Sequence, residues 1–374
     1  MTTLQGKPSA VRRGEPKIVR KVANNRTRAK ISLALGLLAL AACVSCPVAA
    51  IGPAQLGVLV NLADPHSVAV GQRYLDQRGI PSANRVEVNF KSGTAVLSPG
   101  VFEAIKRRID DLTPAGVQAF AITWTRPYRV GCMSVTTAVA AGYDPAFCHP
   151  PDRRCAPTRK LMYFDSQSSA PWTTHGIRPA MVLAGNTLAE VDRLIHRGVQ
   201  SDGRMPEGVA YLLSTSDSAR NVRAVQYGQV FSRVAGRIRV RRIEQDWIRD
   251  KSNVLFYFTG TTQVQHLETL RFAPGAVADH LTSAGGKLDG TQQMPVLAWL
   301  EAGATGSYGA VTEPCNYPDK FPRPAVLMDH YLNGETLIEA YWKSVASPGQ
   351  GLFVGEPLAR PFGLAPRSNE GDRM

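Results

Sequence analysis

Cys315 and His280 are the residues with which this chain could perform nucleophilic chemistry. A cysteine attacks as its thiolate, so it needs a base within hydrogen-bond reach and surroundings that favour the anion. Cys315 follows Glu313-Pro314 in a proline-rich loop, and His280 stands in Asp279-His280-Leu281-Thr282-Ser283. Asp279 or Glu313 would orient the imidazole, giving a catalytic set of Cys315, His280, Asp279 and Glu313. A disulfide at Cys315 would abolish this chemistry, and His280 could instead satisfy a backbone carbonyl. Asp279, His280, Glu313 and His330 also have metal-ligand chemistry, but nothing in their spacing marks a metal motif. Ser283 lacks the Gly-x-Ser-x-Gly setting of a hydrolase nucleophile. Binding is the other chemistry on offer. Ser214, Ser216 and Arg220 in the polar run Ser214–Arg220, with Thr282 and Ser283, suit a charged or hydroxylated ligand.

The elements that must position these residues read as an α/β sheet. Leu56–Val60, Arg85–Val88 and Val117–Trp124 are apolar strand runs. Between them, Asp64-Pro65 and Ser98-Pro99 are helix starts, and Arg78-Gly79 is a helix stop. This β-α-β-α-β order predicts a mainly parallel sheet with helices on both faces. Thr187 and Glu190 form a capping-box pattern, and Val209–Leu213 and Val254–Phe258 are further strands. Arg237–Glu244 alternates basic and apolar residues, as an edge strand protected by charge does. After Asn333-Gly334, Leu337, Ile338, Tyr341, Trp342 and Val345 recur at helical spacing. Glu335 and Glu339 lie early in that helix and Lys343 late, which suits its dipole. Gly351–Gly355 reads as a buried strand. Residues 126–179 form an irregular insertion rich in cysteine and proline.

The net charge of +13 is unevenly placed: eight of those charges fall in residues 1–30, leaving +5 for the rest. The body of the protein therefore has no nucleic-acid footprint. The basic leader runs into the apolar stretch Ile31–Ala42, too short to cross a bilayer and fitting the core of a secretory signal. Leu40-Ala41-Ala42-Cys43 looks like a lipobox, which implies membrane attachment through a lipid on Cys43. Cleavage after Ala49 or Ala50, releasing a soluble protein, is the competing outcome. Export would favour disulfides among Cys132, Cys148, Cys155 and Cys315. Four cysteines permit three pairings, and the short Cys148–Cys155 spacing makes that pair the first expectation. Neither a Gly-x-Gly-x-x-Gly nor a phosphate-loop pattern is present, so no cofactor is expected. The expected organisation is a leader over residues 1–50, one domain over 51–362 and a disordered tail over 363–374.

Two resemblances add to this reading. Pro274–Gly286 and Ala302–Phe362, with AGATGSYG, EPCN, KFP, GETLIEAYWKSV and GEPLARPF, resemble a family of exported bacterial proteins that carries no established activity. More distantly, the strand ending in Thr259-Gly260, the small-residue loop, the Gly/Ala-rich strand, the helix and the closing Gly355-Glu356-Pro357-Leu358 turn are similar to gingipain-type cysteine peptidases of the caspase-like fold. Those enzymes place a catalytic His before the first glycine and a catalytic Cys in the next loop. Here Thr259 fills the first position and the second falls near His280. The resemblance implies the fold and an absent dyad: a binding or structural protein, or a hydrolase of amide or ester bonds with a relocated Cys315–His280 pair. His175-Gly176 repeats the His-Gly pair but follows a loop.

Overall fold

The computed structural model describes residues 50–363, apart from Arg154 and Thr291. The leader with Cys43, and the tail from residue 364, lie outside the described residues.

In chain order the strands are β1 (Leu56–Asn61), β2 (Arg85–Val88), β3 (Val96–Leu97), β4 (Ala119–Ile122), β5 (Arg129–Val130), β6 (Met133–Ser134), β7 (Ala180–Val182), β8 (Val209–Ser214), β9 (Arg239–Glu244), β10 (Val254–Gly260), β11 (Phe272–Leu281), β12 (Gly306–Ala310) and β13 (Gly351–Gly355). The helices are α1 (Pro65–Arg78), α2 (Pro99–Leu112), α3 (Val135–Ala141), α4 (Pro171–His175), α5 (Leu188–Ser201), α6 (Gly228–Arg233), α7 (Leu297–Ala302), α8 (Pro324–Leu332) and α9 (Leu337–Ser344).

Ten strands form one mixed sheet in the order β2-β1-β4-β7-β13-β12-β11-β10-β8-β9. Within β2 to β13, and again within β12 to β9, every pairing is parallel. The β12–β13 contact alone is antiparallel. The expected mainly parallel sheet is therefore two parallel halves of opposite direction joined at one seam. Both halves wind alike, with the second strand outermost, then the first, then the third. The carboxyl ends of β8, β9, β10, β11 and β12 consequently share one edge.

Local chemistry explains the helices between. Asp64 accepts from the His66 amide at 3.0 Å and Pro65 opens α1, while Gly79 closes it at φ 60°. Ser98 caps α2, and Thr187 with Glu190 completes a capping box on α5. Apolar side chains of α1, α5, α6, α8 and α9 cover one face of the sheet, and those of α2, α3 and α7 the other. β10 shows the alternation directly: Phe256 meets Tyr331 of α8 edge-on, whereas Tyr257 meets Trp299 of α7 on the opposite face. At the seam, Trp342 of α9 stacks on Phe353 with ring centroids 4.5 Å apart. Gly306 is needed there, since a Cβ would lie 2.6 Å from Leu337. The insertion over 126–179 is not wholly irregular. β5 and β6 pair with β3 in a small second sheet, and α3 is buried against β7 and β13.

Two disulfides tie the insertion together, Cys132–Cys148 and Cys155–Cys315. This corrects the Cys148–Cys155 pairing expected from spacing. Cys148 ends a short 3-10 turn and is buried beside Cys132, which immediately precedes β6. Cys155 is exposed and reaches across to the loop after β12. Among the described residues no helix is long and apolar enough to cross a membrane.

Candidate functional site

The residues singled out in the sequence gather around the shared carboxyl edge of β8 to β12, but not as the expected dyad. His280 belongs to β11 itself rather than to a strand-end loop, and it is 1% exposed. Its ring is held at both nitrogens: Trp299 Nε1 donates to Nδ1 at 3.0 Å, and Nε2 donates to the Met294 carbonyl at 3.0 Å. Cys315 is bonded to Cys155. The sulfur and the imidazole that were to act on each other are thus each committed elsewhere, and the Cys315–His280 dyad is not formed.

Burial lowers the His280 pKa from 6.5 to about 4, with the Met294 carbonyl opposing and Arg223 adding to the shift. Between about pH 6.5 and 4 the unfolded chain would take a proton there that the folded chain refuses. The stabilising contribution of neutral His280 is therefore complete above pH 6.5 and lost as the pH falls toward 4. An NMR titration of the ring should show it neutral from pH 8 down to 5. Protonation near 6.5 would refute the buried, doubly bonded state.

Asp279 does not orient His280. It projects to the opposite face of β11, where it forms a buried ion pair with Arg223. Arg223 comes from the 3-10 turn Asn221–Gln226, and its Nη2 also donates to the Thr259 carbonyl at 2.8 Å. Tyr227 adds bonds to the Phe258 and Leu213 carbonyls at 3.2 and 3.3 Å. Together they clamp the turn beneath the ends of β8, β10 and β11. Burial pushes the Asp279 carboxyl up to about 6, with Arg223 pulling against it. Arg223 carried no sequence signal, being one arginine in a polar loop.

The binding residues separate into two places. Arg220 reaches Thr282, with Nε 3.3 Å from Oγ1, while its Nη1 pairs with Asp217 at 2.9 Å. Thr282 in turn donates to Gln293 at 2.7 Å, and half-buried Ser283 lies beside it. Gly260 allows this loop to close down, since a Cβ would sit 2.0 Å from the Arg220 carbonyl oxygen. Ser214 and Ser216 line a different feature, an open cleft of about 620 Å³ shared with Asn221, Arg242, Glu244 and Asp246. Ser216 is fixed there through its amide and hydroxyl, which donate to the two Asp246 oxygens at 2.6 and 2.8 Å.

Glu313 is exposed, and its side chain accepts from the Cys315 amide at 2.8 Å. Besides Glu313, two residues outside the expected catalytic set lie at this corner, His149 and Lys320. His149 Nε2 lies 4.0 Å from the Cys315 sulfur and 2.8 Å from the Glu313 carbonyl. Lys320 is 2% exposed, and its Nζ contacts His149 Nε2 at 3.3 Å, the Ala156 carbonyl at 2.9 Å and Gln350 at 2.9 Å. Burial lowers the Lys320 pKa to about 8, opposed by Glu313. In the sequence His149 stands next to Cys148, with nothing to link it to Cys315. His330 is remote in role, held between Glu335 at 2.8 Å and Asp165 at 3.0 Å. Among the described residues no three His, Cys, Asp or Glu side chains are placed to hold a metal ion. Comparison of the chain with protein-family models, with curated proteins and with solved structures gave no match.

Proposed function

We propose that this chain is an exported cell-envelope protein, on a caspase- or gingipain-like scaffold, that binds an extended polypeptide without cleaving it. The scaffold is supported by β10 and β11. Thr259 and His280, which fill the catalytic positions of the resemblance, are register partners on these neighbouring strands. Export is supported by the two disulfides, which belong to an oxidising compartment, together with the signal-like leader. A lipid on Cys43 would then tether the domain to the membrane.

The observation that carries the binding reading is the cleft of Ser214, Ser216, Arg242, Glu244 and Asp246. It offers hydroxyls and both signs of charge, matching a peptide's own mixture of groups. It adjoins β9, the outer strand of the sheet, whose far edge has no strand beside it among the described residues. The arginines that guard this edge against unselected pairing would admit an added strand of complementary charge, bonded through its backbone with its side chains entering the cleft. The hydrolase alternative loses its support, since Cys315 and His280 are both engaged. Casein, a largely unfolded polypeptide, serves as the probe. Titration calorimetry should detect binding, and Arg242→Ala should weaken it about tenfold, one charge-assisted contact. Release of new amine termini from casein would favour the hydrolase; absence of binding would sink the proposal.

A further inference from the structure

We propose that Cys155–Cys315 is an exchange-active disulfide, in which an external thiol attacks Cys155 and Cys315 leaves as a thiolate onto His149. The two sulfurs are unequally placed. Cys155 is exposed, whereas Cys315 is 8% exposed and held at φ 55°, a left-handed conformation that a non-glycine residue adopts at a cost. An incoming thiolate therefore reaches Cys155, and Cys315 is the leaving group.

The leaving side is furnished for negative charge. The Ala156 amide donates to His149 Nδ1 at 2.9 Å, so the ring proton of neutral His149 is on Nε2. That N–H faces the Glu313 carbonyl at 2.8 Å and the Cys315 sulfur at 4.0 Å. Lys320 stands behind it, 3.3 Å from the same nitrogen. The Glu313 carboxylate, which accepts from the Cys315 amide, opposes that negative charge. Exchange is faster the better the departing thiolate is stabilised. Among the described residues no imidazole or ammonium hydrogen-bonds the Cys132–Cys148 sulfurs: Cys148 is 9% exposed, and the Cys132 sulfur lies 3.8 Å from the neutral Tyr143 hydroxyl.

A small thiolate forms a bond to the Cys155 sulfur, and the Cys155–Cys315 bond breaks. Its electron pair stays on Cys315, which accepts a hydrogen bond from His149 Nε2–H and takes its proton from solvent. A second thiol molecule displaces Cys155 from the mixed disulfide. Two external thiols are thereby oxidised to one disulfide, and the protein holds two thiols. The product is a Cys315–His149 pair, with His149 lining a cleft of about 580 Å³ beside Pro150 and Pro157.

The test uses the oxidised mature protein and glutathione. Samples are quenched in acid, alkylated and read by peptide mass spectrometry. The expected result is glutathione on Cys155 with Cys315 alkylated, forming at least tenfold faster than Cys132–Cys148 opens. His149→Ala should slow that exchange severalfold and leave Cys132–Cys148 unchanged. If His149→Ala loosens the fold, Cys132–Cys148 will open faster too; His149→Gln, which keeps an N–H donor, then decides by restoring the wild-type rate or failing to. Glutathione on Cys315, equal opening of both disulfides, or an unchanged rate in a folded His149→Ala protein would overturn the proposal. None of these outcomes depends on polypeptide binding at the β8–β9 cleft.

Discussion

Replacing Asp279 by alanine should destabilise the fold by about 3–5 kcal/mol at pH 8, because it strands a buried cation. Arg223 and Asp279 are each 1% exposed. The Arg223 Nη2 would keep the Thr259 and residue-279 backbone carbonyls, but peptide oxygens do not neutralise a guanidinium. The measurement is urea unfolding of Asp279→Ala, of Arg223→Met, and of the Asp279→Leu/Arg223→Met double variant. The double variant should recover much of the loss, since it removes both charges and fills the space with apolar atoms. The coupling between the sites should then exceed that of an ordinary neighbouring pair. A loss below about 1 kcal/mol for Asp279→Ala would mean that water or another group reaches Arg223. The choice of pH matters. With the native carboxyl pushed up to about 6 and the unfolded one near 3.8, the native state takes its proton first on acidification. The cost of keeping Asp279 ionised is therefore full at pH 8 and is relieved as the pH falls from 6 toward 4.

Lys343→Met should cost a similar amount, about 3–5 kcal/mol, through the same mechanism with the signs reversed. Lys343 is 0% exposed and donates to Glu335 at 2.7 Å. Its ammonium also lies 5.4 Å from the centre of the Tyr163 ring. Glu335 is 2% exposed and Glu339 0%. Burial, and then Glu335, raise the Glu339 pKa, with the Thr336 hydroxyl and Lys343 opposing. Without Lys343, two buried carboxyls would face each other with His330 as the nearest compensating group. Methionine matches the stem of lysine, so packing is largely kept and the loss reports the charge. Thermal unfolding by calorimetry would measure it. Lys343→Arg should fail as well, since a longer, planar head does not fit a site closed on all sides. A Lys343→Met protein as stable as the parent would show that Glu335 and Glu339 take up protons at little expense.

These two changes also separate what could be read from sequence from what could not. Helix starts and stops were legible because their chemistry is local: Asp64-Pro65, Ser98-Pro99 and Thr187 with Glu190 each act on backbone groups a few residues away. So were the buried strands, since a run such as Val254–Phe258 is apolar on both faces wherever it lies. The edge position of Arg239–Glu244 followed from its alternating charges. Glu335, Glu339 and Lys343 were legible only as charges suited to a helix dipole. That they are buried and bonded together depends on what α9 lies against.

The site was harder, because it is made of pairs distant in the chain. Cys148 and Cys155 are neighbours in sequence, yet each bonds elsewhere, Cys155 to a residue 160 positions away. Arg223 finds Asp279 across 56 residues, and His149 finds Cys315 across 166. His280 reads as a catalytic imidazole until Trp299 and Met294 are seen to occupy both its nitrogens.

By itself, the sequence determined the α/β class, the parallel strand-helix alternation, most helix ends and the polar character of the strand-end loops. Only the tertiary structure decided the reversal of direction at β12–β13, the disulfide partners and the ion pair beneath the strand ends. The physical reason is range. Capping, turn formation and apolar periodicity act within a few residues and leave their pattern in the chain. A disulfide, a buried charge pair or a doubly bonded histidine depends on which strand ends the sheet order brings together.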